Sequence, residues 1–144
     1  MDAPVTGVWM KHRVSYGETD AMGVVYYAEY LHIFERSRNS ICRACAIPYD
    51  EIEKAGIILP VREAQCRYRS PARYDDLLWV HVWISEWKRA SVRFSYEIRS
   101  EDRKTLIAEG MTEHVIYSRE AGRPVATPQW LKDAFSSIKV EEND

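Results

Sequence analysis

The 144-residue chain carries 46% hydrophobic and 29% charged residues, a length and balance that fit one compact soluble domain with a real core. Its net charge of -2 excludes an overall field that would draw a polyanion, so any phosphate recognition has to come from a local cluster. No stretch reaches the ~20 apolar residues of a membrane span, and Met1-Asp2-Ala3-Pro4 lacks a basic stretch leading into an apolar run; the expectation is a cytoplasmic protein.

The first pattern is strand-like. Val8, Met10, His12, Val14 and Tyr16 alternate with Trp9, Lys11, Arg13 and Ser15, and Gly17 ends the run. Over residues 24–46 the spacing changes to three or four through Tyr27, Leu31, Phe34, Ile41 and Cys45, with Tyr26, Tyr30 and Ile33 widening the stripe. A helix so apolar around its circumference has to be wrapped by other structure. A short second helix is predicted over 48–55, stopping at Gly56, where a positive φ is accommodated easily.

Beyond Gly56 the period returns to two. Residues 57–69 read as one strand. Leu78, Val80, Val82 and Ile84, alternating with Trp79, His81, Trp83, Ser85 and Trp87, read as another. Val92, Phe94, Tyr96 and Ile98 give a third, and 105–117 a fourth, with polar turns at Lys88-Arg89-Ala90 and at 100–104. Connections this short suit antiparallel neighbours. Thr127-Pro128 reads as an N-cap with Pro at N1, opening an amphipathic helix through Trp130, Leu131, Ala134, Phe135 and Ile138. Residues 140–144 read as a frayed tail.

Cys42, Cys45 and Cys66 are odd in number and sit in apolar surroundings, which reads as reduced, packed thiols. Cys42-Arg43-Ala44-Cys45 has a redox or zinc spacing but lies in a helical pattern with no second Cys pair. His12, His32, His81 and His114 lack ligand spacing, so no metal is expected.

The residue that draws chemical attention is Asp20, placed by this reading where the first strand gives way to the long helix. A helix start offers unpaired N–H groups and a positive partial charge, which keep a carboxylate ionised and hold an oxyanion forming beside it. Asp20 and Thr19 read equally as turn and cap residues. Gly23 serves a sharp turn or a close approach of backbone to substrate. Glu18 reads as exposed.

Thr19-Asp20-Ala21-Met22-Gly23-Val24-Val25-Tyr26-Tyr27, Phe34-Glu35-Arg36-Ser37-Arg38 and Tyr68-Arg69-Ser70-Pro71-Ala72-Arg73-Tyr74-Asp75-Asp76-Leu77 together resemble the hot-dog-fold acyl-CoA thioesterases, in particular the group similar to 4-hydroxybenzoyl-CoA thioesterase and the YbgC thioesterases. The resemblance spans roughly residues 11–117. It implies an α+β hot-dog fold, a long central helix wrapped by a curled antiparallel sheet of about five strands, as one domain over 1–144. It also implies a homo-oligomer, dimer or tetramer, with active sites at subunit interfaces. The implied activity is hydrolysis of a short-chain or aromatic acyl-CoA to free acid and CoA, with no cofactor beyond the CoA moiety of the substrate itself.

In that frame Asp20 attacks the thioester carbonyl or acts as general base towards water, and the Tyr27 backbone N–H polarises the thioester oxygen. Lys88, Arg89 and Ser91 are candidates for the nucleotide end of CoA. Arg73, with Arg67 and Arg69, is a second basic group that also reads as a solvated face. Glu35 either nears the acyl pocket of a partner subunit or pairs with Arg36 or Arg38, and Glu63 is a weaker candidate for orienting water. Trp79, His81, Trp83 and Trp87 are predicted to share one strand face, in core or interface packing. Met22 stands where the family often has a small residue and narrows the site mouth. The alternatives are a non-catalytic acyl-CoA-binding or structural module, a thioesterase acting on acyl carrier protein, and a hydratase or dehydratase. The last is disfavoured by Asp rather than His at the helix entry.

Overall fold

The computed structural model describes residues 7–45, 49–136 and 141–143. Strand β1 (Val8–Arg13) leads through a 3-10 turn (Tyr16–Glu18) to helix α1 (Glu29–Ala44) and the short helix α2 (Tyr49–Lys54). The chain continues through β2 (Ile57–Ile58), β3 (Val61–Tyr68), β4 (Leu77–Trp87), β5 (Ser91–Arg99) and β6 (Leu106–Val115). It ends with β7 (Tyr117–Ser118), β8 (Arg123–Pro124), helix α3 (Gln129–Ser136) and β9 (Glu141–Asn143).

The main sheet runs β3-β6-β5-β4-β1-β9, antiparallel except for β9, which lies parallel to β1; β2, β7 and β8 form a small second sheet. The alternation read from sequence decides what the main sheet buries: Val80, Val82, Phe94, Tyr96 and Ile98 face α1 and are almost wholly enclosed. Helix α1 answers with Tyr30, Ile33, Phe34, Ser37, Ser40 and Ile41, the two serines keeping the inner face narrow enough for close approach. Phe34 stacks on Tyr96 with ring centroids 4.2 Å apart. This contact requires Gly110, where a Cβ would fall 2.2 Å from the Gln65 carbonyl oxygen and 2.7 Å from Phe34 Cε2.

A helix enclosed by a curled antiparallel sheet is the hot-dog arrangement. Its details depart from the sequence reading at definite points. Helix α1 starts at Glu29 rather than at 24, because the β-branched pair Val24-Val25 takes extended backbone instead: Val24 bridges Arg73 and Val25 bridges Thr19. The predicted strand 57–69 is cut at Leu59-Pro60, where Pro60 has no N–H for a ladder. The run 105–117 is likewise split at Ile116 between the two sheets.

Strand β3 lies at the far edge beside β6 rather than next to β4, so the segment between β3 and β4 crosses in front of the entrance to α1. A bulge between Ile84 and Glu86 reverses the parity of β4, so Trp87 leaves the face shared by Trp79, His81 and Trp83 and packs on Phe135 of α3. The other three stay on the sheet face away from α1 with Trp9, which stacks on His81 at 4.4 Å; His81 is buried there, while Arg103 lies over Trp9 and Trp79.

The Thr127 hydroxyl bonds the Lys88 and Arg89 carbonyls instead of capping α3. Residues 141–143, read as frayed, form β9. The predicted roles of Ala46, Pro48 and Ile138, and of residues 1–4, lie outside the described residues. Gly56, with φ of 86°, ends α2 as expected. Cys42 and Cys45 are buried and none of Cys42, Cys45 and Cys66 is in a disulfide; burial pushes the Cys42 thiol up to about 12, which makes it inert.

Candidate active site

Asp20 does not sit at a helix terminus; it opens a tight turn nine residues before α1. The Asp20 carbonyl accepts from Gly23 N–H at 3.0 Å, and Asp20 N–H donates to the Val24 carbonyl at 2.9 Å. Gly23 completes the turn with φ of 81°, a conformation an L side chain would strain. The carboxylate turns back on this loop: Oδ1 accepts from Met22 N–H at 2.8 Å and from Val24 N–H at 3.4 Å. Backbone donors therefore orient Asp20, and among the described residues no Lys, Arg or His pairs with it.

The loop returns the chain to α1. Val25 N–H donates to the Ala72 carbonyl and Tyr26 N–H to the Glu18 carbonyl, after which Glu29 N–H bonds the Tyr26 carbonyl as the helix begins. Tyr27 stands between these anchors, and among the described residues its N–H has no backbone acceptor. Its carbonyl accepts the Tyr68 hydroxyl at 3.1 Å, which fastens β3 to the same turn. The Tyr68 phenol is pushed up to about 12 by desolvation first and the nearby Cys66 thiol next, so it is a neutral donor at ordinary pH.

Asp20 and Tyr27 line one open cleft of about 390 Å³ with Val24, Tyr30, Tyr68 and the crossing segment Arg69-Ser70-Pro71. A carboxylate with a fixed orientation, a backbone donor at a helix entrance and a partly aromatic wall suit attack on a carbonyl whose oxygen gains charge. Tyr16, Met22, Tyr26, Tyr27, Tyr68 and Tyr74 are all exposed apolar groups on the loops and strand that bound this region.

The other predicted residues divide by position. Arg73 is exposed and bridges Val24, beside the Asp20 loop. Arg69 lines the cleft but is held by Glu109 at 3.0 Å. Lys88, Arg89 and Ser91 gather at the β4–β5 turn, at the opposite end of an 11-residue strand from the Asp20 loop, which is roughly 35 Å of strand. One protomer therefore does not bring them to Asp20. Lys88 is exposed but committed to Glu113 at 2.9 Å, and Ser91 is buried, which leaves Arg89 as the exposed cation of that turn outside the Glu113 pair. Glu113 takes Arg62 and Arg93 as well; the Lys88 hydrogen bond first of all holds its carboxyl below the usual range.

Glu35 is exposed and belongs to a separate small cavity of about 130 Å³, with Arg38, Asn39, Cys42, Leu59, Phe94 and His114. Beneath it runs a chain whose proton directions are fixed. His114 Nδ1 meets the Leu59 carbonyl at 2.9 Å and so carries the proton, leaving Nε2 to accept from the Thr112 hydroxyl at 2.8 Å. Thr112 then accepts from Tyr96, which accepts from Arg38 Nη1 at 3.1 Å. Burial, chiefly, pushes His114 down to about 4. Glu63 lies exposed on β3, outside the lining of the Asp20 cleft.

Sequence reasoning missed Glu18. It is buried, not exposed, and its carboxylate accepts from Ser15 N–H at 2.8 Å and the Ser15 hydroxyl at 3.0 Å, with His12 and Arg36 against it. The spacing Ser15-x-x-Glu18 is a capping-box signature and was the available signal.

A curled sheet around one helix, with a carboxylate loop and a backbone donor in a cleft at the helix entrance, defines the hot-dog thioesterase class. Residues 14–135 match the family model of the thioesterase-like superfamily, and the chain belongs to that family of thioester hydrolases. It is similar to the acyl-CoA thioesterase YbgC of Haemophilus influenzae, 36% identical over 129 residues, or 88% of this chain and 93% of that one. The acyl-CoA thioester hydrolase YbgC of Escherichia coli O6:H1 is 31% identical over 123 residues, 85% of this chain and 91% of the other. The crystal structure of DHNA-CoA thioesterase from Staphylococcus aureus superposes with a TM-score of 0.78 at 28% identity, covering 90% of this chain and 89% of that one.

Proposed function

We propose that the protein hydrolyses a short-chain or aromatic acyl-CoA to free acid and CoA, with Asp20 as the reacting carboxylate and the Tyr27 backbone N–H as the oxyanion donor. The observation that carries this reading is that both groups line one cleft, Asp20 oriented by the Met22 and Val24 N–H groups and Tyr27 with its N–H open. The names of the YbgC relatives support CoA esters as the substrate class.

A thioester carbonyl needs little activation, and its thiolate leaving group belongs to an acid of pKa about 8.5, so one carboxylate suffices without a strong general acid. Asp20 either adds to the carbonyl, expelling CoA thiolate and leaving a mixed anhydride that water cleaves, or takes a proton from the water that attacks. Both routes consume one water and release acid and thiol, and no cofactor enters. In both, negative charge collects on the carbonyl oxygen, and in this reading the Tyr27 N–H is the donor that receives it.

The working unit in this reading is a homodimer or dimer of dimers. Strand β3 is an exposed sheet edge, with Val61 and Tyr68 about half exposed, and its unpaired backbone groups offer a second copy a strand to pair with. The protomer's own Arg89 turn lies too far from Asp20 to serve the cleft, so in this reading an Arg89 acting there belongs to a second copy. Arg73 and Arg89 are then the cations for the CoA phosphates, and Ser91 and Glu35 have subsidiary places.

Thiol release from short, long and aromatic acyl-CoAs, set beside the same acyl groups on carrier protein, tests the assignment. Turnover of CoA esters with one acyl class preferred is the expected result. Binding of every ester without thiol release would favour the non-catalytic acyl-CoA-binding module.

A further inference from the structure

We infer that Glu18 is a positioning residue that clamps the loop carrying Asp20 and sets the Tyr27 backbone N–H; this rests on the reading of Asp20 as the reacting carboxylate. Glu18 is only 5% exposed, and it joins three elements. Its Oε1 takes the Ser15 N–H and hydroxyl in the 3-10 turn. His12 Nε2, from β1, lies 3.0 Å from Oε1 and 2.9 Å from Oε2, and Arg36 Nη1, from α1, reaches Oε2 at 3.2 Å.

The same residue's backbone carbonyl accepts the Tyr26 N–H at 2.9 Å. One side of Glu18 thus grips the strand before the loop and the helix after it, while the other holds the residue that precedes Tyr27. The chain between, from Thr19 to Val25, is closed on itself by the Thr19–Val25 bridge and carries Asp20. Moving the Glu18 carboxylate would move both reacting partners of the cleft, though Glu18 is not among the residues that line it.

Stability alone gives a weak reason for this arrangement. A buried carboxylate costs desolvation, and replacement of such a network by apolar packing is often neutral or favourable. Burial pushes the Glu18 carboxyl up, but the Ser15 N–H, His12 and Arg36 outweigh it and hold the group below its usual range, so it stays ionised. What the network supplies and apolar packing would not is a directional anchor for the turn two residues from Asp20. An error of about 1 Å at a reacting group is enough to cost on the order of 100-fold in rate.

The test compares wild type, Glu18→Gln, Asp20→Asn and the double variant in steady-state thiol release on the preferred acyl-CoA, with thermal unfolding of each. The expected result for Glu18→Gln is a kcat lowered about 10- to 100-fold with KM within about twofold. In the double variant Glu18→Gln should cost less than it costs wild type, because part of its effect runs through Asp20 and only the part that sets the Tyr27 N–H remains. If Glu18→Gln does not fold, Arg36→Ala decides, since Arg36 is half exposed and only one of the anchors; it should lose about three- to tenfold in kcat at unchanged KM. Wild-type kcat in a folded Glu18→Gln, or in Arg36→Ala, with Asp20→Asn inactive would overturn the clamp and leave Asp20's role intact. Wild-type turnover by Asp20→Asn would overturn the Asp20 reading and the clamp with it.

Discussion

The Tyr68 hydroxyl donates to the Tyr27 carbonyl oxygen at 3.1 Å, joining an edge strand to the turn from which the buried helix starts. The Tyr27 N–H itself has no backbone acceptor among the described residues, and Tyr27 lines the cleft. Tyr68→Phe removes the bond with the ring kept. We expect a stability loss of about 1 kcal/mol and a fall in kcat of about three- to tenfold, read by denaturant unfolding and thiol release. Tyr27→Ala, which keeps the N–H, should be milder in kcat than Tyr68→Phe.

Gly110 is fixed by packing. Its missing Cβ is the space into which Phe34 and the neighbouring strand fit, with contacts of 2.7 and 2.2 Å for any added carbon. Gly110→Ala should destabilise the fold by about 2–4 kcal/mol, measured as a shift of the denaturant midpoint at unchanged slope.

The pH dependence of stability follows from His114. Its folded pKa of about 4 lies below the ordinary 6.5, so in the window between them the unfolded chain binds the proton and the folded chain does not. Stability is then complete above about pH 6.5 and is lost as pH falls towards 4, by about 3 kcal/mol in all from this group. Glu18 and Glu113, both held below the usual carboxylate range, continue the loss at lower pH. His114→Gln should flatten the curve between pH 6.5 and 4 in equilibrium unfolding. An unchanged slope would contradict the neutral, doubly bonded ring.

Exposed cations are expected to serve binding rather than turnover. Arg73→Glu and Arg89→Glu should each raise KM for acyl-CoA about five- to tenfold and leave kcat and the KM for the matching acyl-pantetheine unchanged. Equal losses on both substrates would place these residues away from the nucleotide end.

Much of the fold was legible because alternation and helical spacing report burial directly. Val80, Val82, Phe94 and Tyr96 face inward as their parity requires, and α1 is wrapped as its broad apolar stripe demands. What failed were features that depend on tertiary partners. Val24-Val25 fit the helical period, yet their backbone bonds go to Thr19, Ala72 and Arg73, which no local pattern reveals. One extra residue near Ser85 turns Trp87 from the outer face to the core. The crossing of 69–76 over the helix entrance, which walls the cleft, follows from β3 lying at the far edge. The motif pointed to Asp20 and Tyr27, which share one cleft, and to Gly23, which turns the Asp20 loop, whereas Glu18 was misread since its partners come from three elements.

In the proposed mechanism the Asp20 carboxylate reacts at the thioester. Steady-state thiol release by Asp20→Asn beside wild type, on the acyl-CoA that wild type turns over fastest and with thermal unfolding of both, tests it most directly. The prediction is a variant that folds, binds the ester and loses about 100-fold or more in kcat. Turnover within a fewfold of wild type in a stably folded Asp20→Asn would contradict it.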